Sequence, residues 1–137
     1  MRVEDDRDNL TGGRRVLLII EDDGTFAEII RDLSREMDFQ CLVAGTAEEA
    51  RRRSREYRPN AIVMDVGLPD HSGLTVLDQL KRDDATRHIP VHVVSAADHS
   101  QTALSLGAVG YDDEVEEALA AMTDERTTTP QRGVGRN

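Results

Sequence analysis

Carboxylates stand where two apolar runs end. Val16-Leu17-Leu18-Ile19-Ile20 stops at Glu21-Asp22-Asp23, and Ala61-Ile62-Val63-Met64 stops at Asp65. A short apolar run closed by polar or turn-forming residues reads as a strand buried on both faces. Such strands belong to parallel sheets covered by helices above and below, where ligands are met at the carboxyl ends of the strands. If the two strands are neighbours, Glu21, Asp22 and Asp65 converge. Unit charges about 4 Å apart repel by about 4 kcal/mol at an effective dielectric near 20, so the cluster needs relief. Relief comes either from raised pKa values on one or two of the acids or from a hard divalent cation; oxygen ligands plus water suit Mg²⁺. A plainer reading stays open, in which strand ends are simply polar and the acids cap the following helix, where negative charge is favourable.

The elements that must position these acids follow from periodicity and turn chemistry. Residues 1–13 are charged, contain Gly12-Gly13 and show no periodicity, which predicts a disordered leader, with the domain opening near Arg14. After the first strand, Thr25 and Glu28 form a candidate capping box, and Phe26, Ile29, Ile30, Leu33 and Met37 recur at helical spacing. A second strand is expected over 39–44, then a capping box of Thr46 and Glu49. The helix that follows, to about Tyr57, is inward at Ala47, Ala50, Ser54 and Tyr57 and carries a basic stripe of Arg51, Arg52, Arg53, Arg55 and Arg58, read as solvated surface. The strand ending at Asp65 is third, opened by Pro59-Asn60 and closed by a loop through Gly67, Pro69 and Gly73. A helix from Ser72 or Gly73, with Leu74, Leu77 and Leu80 inward, leads to a fourth strand over 89–96, a short helix over 99–106, a fifth strand over 107–111 and a last helix with Val115, Ala118, Leu119 and Met122 inward. Residues 123–137, with Thr127-Thr128-Thr129-Pro130, read as a flexible tail or linker. Five βα units in succession imply a doubly wound α/β fold around a five-stranded parallel sheet.

Composition narrows the function classes. The 137-residue chain has room for one domain, and its net charge of −10 argues against nucleic-acid phosphate as a direct partner. Cys41 is the only cysteine, which excludes an internal disulfide and a cysteine-based zinc site and fits a buried, inert thiol in a reducing cytoplasm. No apolar stretch reaches the length of a membrane span. The four histidines share no face.

Taken together, Glu21-Asp22, Asp65, Leu68-Pro69, Gly73, Ser95-Ala96 and Tyr111 stand in an order that resembles the receiver domains of bacterial two-component response regulators, over about Arg14 to Met122. The stretch from Ile89 through Tyr111 is particularly similar to receiver modules of hybrid sensor kinases. The resemblance implies a flavodoxin-like (βα)5 fold and a phosphoacceptor Asp65, with Mg²⁺ held by Glu21, Asp22, Asp65 and the backbone carbonyl of Gly67. It further implies that Ser95 hydrogen-bonds a phosphoryl oxygen, that Tyr111 is the switch aromatic, and that the face of strand four, helix four and strand five changes on phosphorylation. A histidine kinase or phosphotransfer protein is the implied partner, a homodimer through the helix-four side is common in the family, and neither nucleic acid nor membrane is engaged directly.

One departure is large. The family's lysine belongs three residues after Tyr111, and that position is Glu114, with Val115 where a proline is usual. The only lysine is Lys81, and no arginine lies between Arg87 and Arg126. A phosphoryl group brings about −1.5 to −2 of charge to a site that normally pairs it with a cation. Two expectations therefore stand side by side: a phosphoacceptor signalling domain, or a degenerate pseudo-receiver that binds partners without phosphorylation. A dehalogenase-type phosphohydrolase, which also uses a strand-end aspartate, is more distant, because its second aspartate would fall at Gly67.

Overall fold

The computed structural model describes residues 3–65, 73–94, 107–108, 110–112 and 119–120. Within them the elements run β1 (Val16–Ile20), α1 (Gly24–Glu36), β2 (Gln40–Ala44), α2 (Ala47–Tyr57), β3 (Ala61–Met64), α3 (Gly73–Arg82), β4 (Val91–Val94) and β5 (Gly110–Asp112). The strands form one parallel five-stranded sheet in the order β2-β1-β3-β4-β5. The chain winds outward from β1 in one direction to β2 and in the other through β3, β4 and β5. The order reverses between β1 and β3, the place where open α/β sheets bind ligands.

Side chains alternate across the sheet and build two cores. Leu18, Ile20, Leu42, Ala44, Ile62, Met64, Val91 and Val93 pack with Ala47 and Ala50 of α2 and Val76, Leu77 and Leu80 of α3. Leu17, Ile19, Cys41, Val43, Ala61, Val63 and Val94 face the other way, against Ala27 and Ile30 of α1 and Leu119. Period-two alternation with apolar residues on both faces is what a sheet covered on both sides requires. Cys41 is fully buried, and burial pushes its thiol up to about 12, a form that does not react at neutral pH.

Several local expectations need correcting. Helix α1 is capped by Asp23, whose Oδ1 accepts from the N–H groups of Thr25 (3.0 Å) and Phe26 (3.3 Å), so Thr25 lies inside the helix and its proposed box with Glu28 does not form. The buried stripe of α1 is Gly24, Ala27, Ile30 and Ser34, which turns Ile29 outward to 48% exposure. Phe26, Leu33 and Met37 flank that stripe. At α2, Thr46 Oγ1 accepts from the Glu49 N–H (3.1 Å), while Glu49 Oε1 accepts from the Gly45 N–H (2.9 Å), one residue earlier than in a standard capping box. The basic stripe of α2 is divided: Arg51 donates to Gln79 of α3 and Arg55 pairs with Asp83 just after it, while Arg53 turns toward the end of β2. Strand β4 begins at Val91 and β5 at Gly110, each later than the spacing suggests; Gly107 and Ala108 precede β5 as loop.

The largest correction concerns the amino terminus. From Val3 onward the expected leader is an ordered arm laid against β2 (Gln40–Ala44), the outer strand on that side of the sheet. The Asp6 N–H donates to the Cys41 carbonyl (2.8 Å), Asp6 Oδ2 accepts from the Cys41 N–H (2.8 Å), and Asp5 Oδ2 accepts from the Val43 N–H (2.8 Å). Gln40 Oε1 accepts from the Thr11 N–H (2.7 Å), and its Nε2 donates to the Thr11 carbonyl (2.9 Å). Arg35 pairs with Asp6, Arg31 donates to the Glu4 carbonyl, and Val3 is buried in the α1-side core. An edge strand left bare would expose those N–H and C=O groups to other chains, and the arm satisfies them with carboxylates as much as with backbone. Charge patterning hid this, because the acids that suggest a solvated tail are the acceptors that dock it.

Candidate functional site

The site lies at the carboxyl rim where β1 and β3 end side by side. The Glu21 N–H donates to the Ala44 carbonyl and the Asp65 N–H to the Ile20 carbonyl, each at 2.9 Å, so sheet hydrogen bonding carries one residue past each strand and holds both acids at the same height. Carboxylate oxygens of Glu21, Asp22 and Asp65 all lie within 4.8 Å of one another. Glu21 is buried at 6% exposure, Asp65 is half-buried and Asp22 is exposed. Asp23, the fourth acid, turns away to cap α1 and contributes its N–H to Glu21 Oε2 (3.1 Å).

Burial raises the Glu21 pKa from 4.5 to about 7; the Asp23 N–H opposes the shift, and the charges of Asp65, Asp22 and Asp23 add to it. The smaller, charge-borne part of the shift is the repulsion expected from the spacing of the two motifs. The donor set is three carboxylates without nitrogen or sulfur, one of them pushed toward its neutral form by burial first and by its neighbours' charge second. Such a set fits a hard divalent cation, which would hold the acids ionised.

Other expected site residues lie partly or wholly beyond view. Gly67, Ser95 and Glu114 lie outside the described residues. Tyr111 pairs with Val93 through its backbone in β5, and its side chain lies outside the description. Lys81 is remote from the acids: its Nζ donates to the carbonyls of Ile89 (2.6 Å) and Arg87 (3.1 Å), both before the start of β4 and therefore at the opposite rim. Burial lowers its pKa. Its stem also packs under Gly107, where a Cβ would come within 2.8 Å of Lys81 Cγ.

Two basic residues that motif reading passed over stand beside the acids. A cavity of about 250 Å³ is lined by Glu21, Asp22 and Gly24, by Val43, Gly45 and Glu49, and by Arg7 and Arg53. Arg53 was visible in the sequence only as part of a basic run, and Arg7 carried no signal at all.

Known proteins agree with this architecture. The family model described as "Response regulator receiver domain" matches residues 17–120. Over 80 residues the chain is 40% identical to the polar-differentiation response regulator DivK of Brucella anthropi, a match covering 58% of this chain and 65% of that protein. The match to the Brucella ovis DivK spans the same 65% of its length at 38% identity. Among solved structures, a putative response regulator from Chloroflexus aurantiacus J-10-fl superposes with a TM-score of 0.75 at 25% identity, covering 81% of this chain and 96% of that one. With the 2-1-3-4-5 sheet, the strand-end acids and a family match over most of its length, the chain belongs to the response regulator receiver domain family.

Proposed function

We propose that this chain is the phosphoacceptor of a two-component phosphorelay, taking a phosphoryl group on Asp65. The observation that carries the reading is the convergence of Glu21, Asp22 and Asp65 within 4.8 Å at the rim where β1 and β3 meet. In this reading an Asp65 carboxylate oxygen attacks the phosphorus of a donor phosphohistidine in line, forming an acyl phosphate as the P–N bond breaks and the donor imidazole leaves. Glu21, Asp22, Asp65 and the Gly67 carbonyl would hold Mg²⁺, which would offset charge on the transferring oxygens. Ser95 donates a hydrogen bond to the new phosphoryl group, and Tyr111 reports it to the surface of β4, the helix after it and β5. The donor is a histidine kinase or phosphotransfer protein in the cytoplasm, and the helix-four side is the candidate homodimer surface. No described helix is long and apolar enough to cross a membrane. The chain acts as a signalling domain whose chemistry is at most self-catalysed phosphoryl transfer and autodephosphorylation.

The test is incubation with Mg²⁺ and a small acyl phosphate, followed by intact mass, and with beryllofluoride, followed by tyrosine fluorescence. Addition of one phosphoryl group that disappears in Asp65→Asn supports the reading. Absence of both the added mass and the spectral change overturns it.

A second reading keeps one observation of its own. Glu114 stands where the family has its lysine, and Lys81 is tied to the far rim. A pseudo-receiver that binds partners in a fixed state predicts that Asp65→Asn retains partner affinity; loss of binding in that variant rejects it.

A further inference from the structure

The cavity beside the acids has a mixed lining. Arg7 comes from the amino-terminal arm and Arg53 from the middle of α2, and their side chains are only 18% and 12% exposed. Each is anchored at one edge. Arg7 donates from Nε (2.9 Å) and Nη2 (3.0 Å) to Asp5, and Arg53 donates from Nη1 to the Val43 carbonyl, with Glu49 at 4.0 Å. A guanidinium carries five N–H donors in a planar fork, so these anchors orient each group and leave donors for a ligand. Both guanidiniums line the same cavity, and after burial the charge of Arg7 acts to lower the Arg53 pKa. Like charges held together at a cavity wall are relieved by an anion between them.

We propose that this cavity binds a phosphate-class oxyanion through Arg7 and Arg53. At about 250 Å³ the space lies below the range of drug-sized pockets and suits a small tetrahedral anion with a few waters. Glu21, Asp22 and Glu49 share the lining with the two arginines, so the lining is net negative while the acid cluster is bare. A divalent cation on Glu21, Asp22 and Asp65 removes two of those charges, and oxyanion affinity rises with it. That coupling rests on the metal reading of the acid cluster; the anion site itself does not. It also gives the ordered arm a function beyond covering β2, because the arm delivers one of the two guanidiniums.

The experiment is a titration of the ¹⁵N-labelled full chain with inorganic phosphate, with and without saturating Mg²⁺, read by amide and arginine Nε shifts. Inorganic phosphate transfers no phosphoryl group, so the result is independent of whether Asp65 accepts one. The expected outcome is saturable shifts at Gly24, Gly45 and the Nε of Arg7 and Arg53, with affinity lower by about tenfold without Mg²⁺ and in Arg53→Gln. Arg7→Gln tests the arm, and Arg53→Lys, which keeps the charge and loses the fork, gives an intermediate affinity in a fold with native amide dispersion. Absence of saturable shifts at these positions in both conditions, or unchanged affinity in Arg53→Gln, overturns the proposal. Failure of Mg²⁺ alone to shift Glu21, Asp22 and Asp65 in the same samples counts against the phosphoacceptor reading instead.

Discussion

The N–H of Asp65 donates to the carbonyl of Ile20 at 2.9 Å. The phosphoacceptor candidate and the residue preceding Glu21 therefore share a rung of the sheet, and backbone pairing brings the acids together. Ile20 pairs with Met64 in the β1–β3 register. A slip of one residue would turn the β3 side chains to opposite faces and set Asp65 out of step with Glu21. The energetic strain of the acid cluster is thus imposed by strand register and balanced by the two cores beneath it.

That strain is measurable as pH dependence. Glu21 is raised from 4.5 to about 7 in the folded chain, so between those values the folded state binds a proton that the unfolded state has released. Stability from this group is full below about pH 4.5 and is lost as pH rises through about 7, a loss on the order of 3 kcal/mol. Glu21→Gln keeps an acceptor for the Asp23 N–H and removes the charge. Urea midpoints at pH 5 and pH 8 should show the variant gaining on the parent at pH 8 in the absence of metal, with Mg²⁺ narrowing the gap. Parallel pH profiles would mean that Glu21 ionises at no cost.

Asp22 and Asp23 are adjacent in sequence and separate in role. Asp23→Ala removes the α1 cap and should cost about 1 kcal/mol of stability while leaving Mg²⁺ affinity within a few fold. Asp22→Asn should do the reverse, weakening Mg²⁺ binding by about tenfold or more with little change in melting temperature. Calorimetric titration and thermal melts on the two proteins separate the roles; matching effects in both would dissolve the distinction.

The arm is a structural part of the domain. Asp6→Ala strips an acceptor from the Cys41 N–H and a partner from Arg35, and should destabilise by about 1–3 kcal/mol. Asp5 contributes with a pH signature opposite to that of Glu21. Burial acts to raise its pKa, but hydrogen bonds from the Arg7 side chain and the Val43 N–H outweigh burial and hold it below 3.8. Its stabilisation is present above 3.8 and is lost as pH falls through the lowered value. Hydrogen exchange at Cys41 and Val43 should accelerate in Asp6→Ala and in a chain lacking residues 1–12; equal protection in all three would show that the arm is not what shields β2.

At the far rim, Gly107 has φ +110 and an added Cβ would meet Lys81 Cγ at 2.8 Å. Gly107→Ala should cost about 1–3 kcal/mol from backbone strain and displacement of the Lys81 stem. Lys81→Met should destabilise by losing its bonds to the Ile89 and Arg87 carbonyls while leaving Mg²⁺ and beryllofluoride binding unchanged. A loss of beryllofluoride binding in Lys81→Met would instead make Lys81 the missing cation.

The five strands, the three described helices α1, α2 and α3 and the strand-end carboxylates were legible in the sequence because each rests on local chemistry: apolar runs, turn-forming residues after them, and acids at the boundary. The convergence of Glu21, Asp22 and Asp65 was legible only on the condition that the first and third strands are neighbours, and the order β2-β1-β3-β4-β5 that meets this condition came with the tertiary structure. Only the tertiary structure decided which way single residues faced. Ile29 belongs to an apolar repeat yet points outward, because Ala27, Ile30 and Ser34 meet the sheet. Asp5, Asp6 and Arg7 read as a solvated leader until the bare N–H groups of β2 lie opposite them, and Arg53 read as surface until the end of β2 and the acid cluster are in place. Pattern reports what a segment does with its own neighbours in sequence. The partner of a charged side chain is chosen by whatever the fold brings within reach, and that is a property of the whole chain.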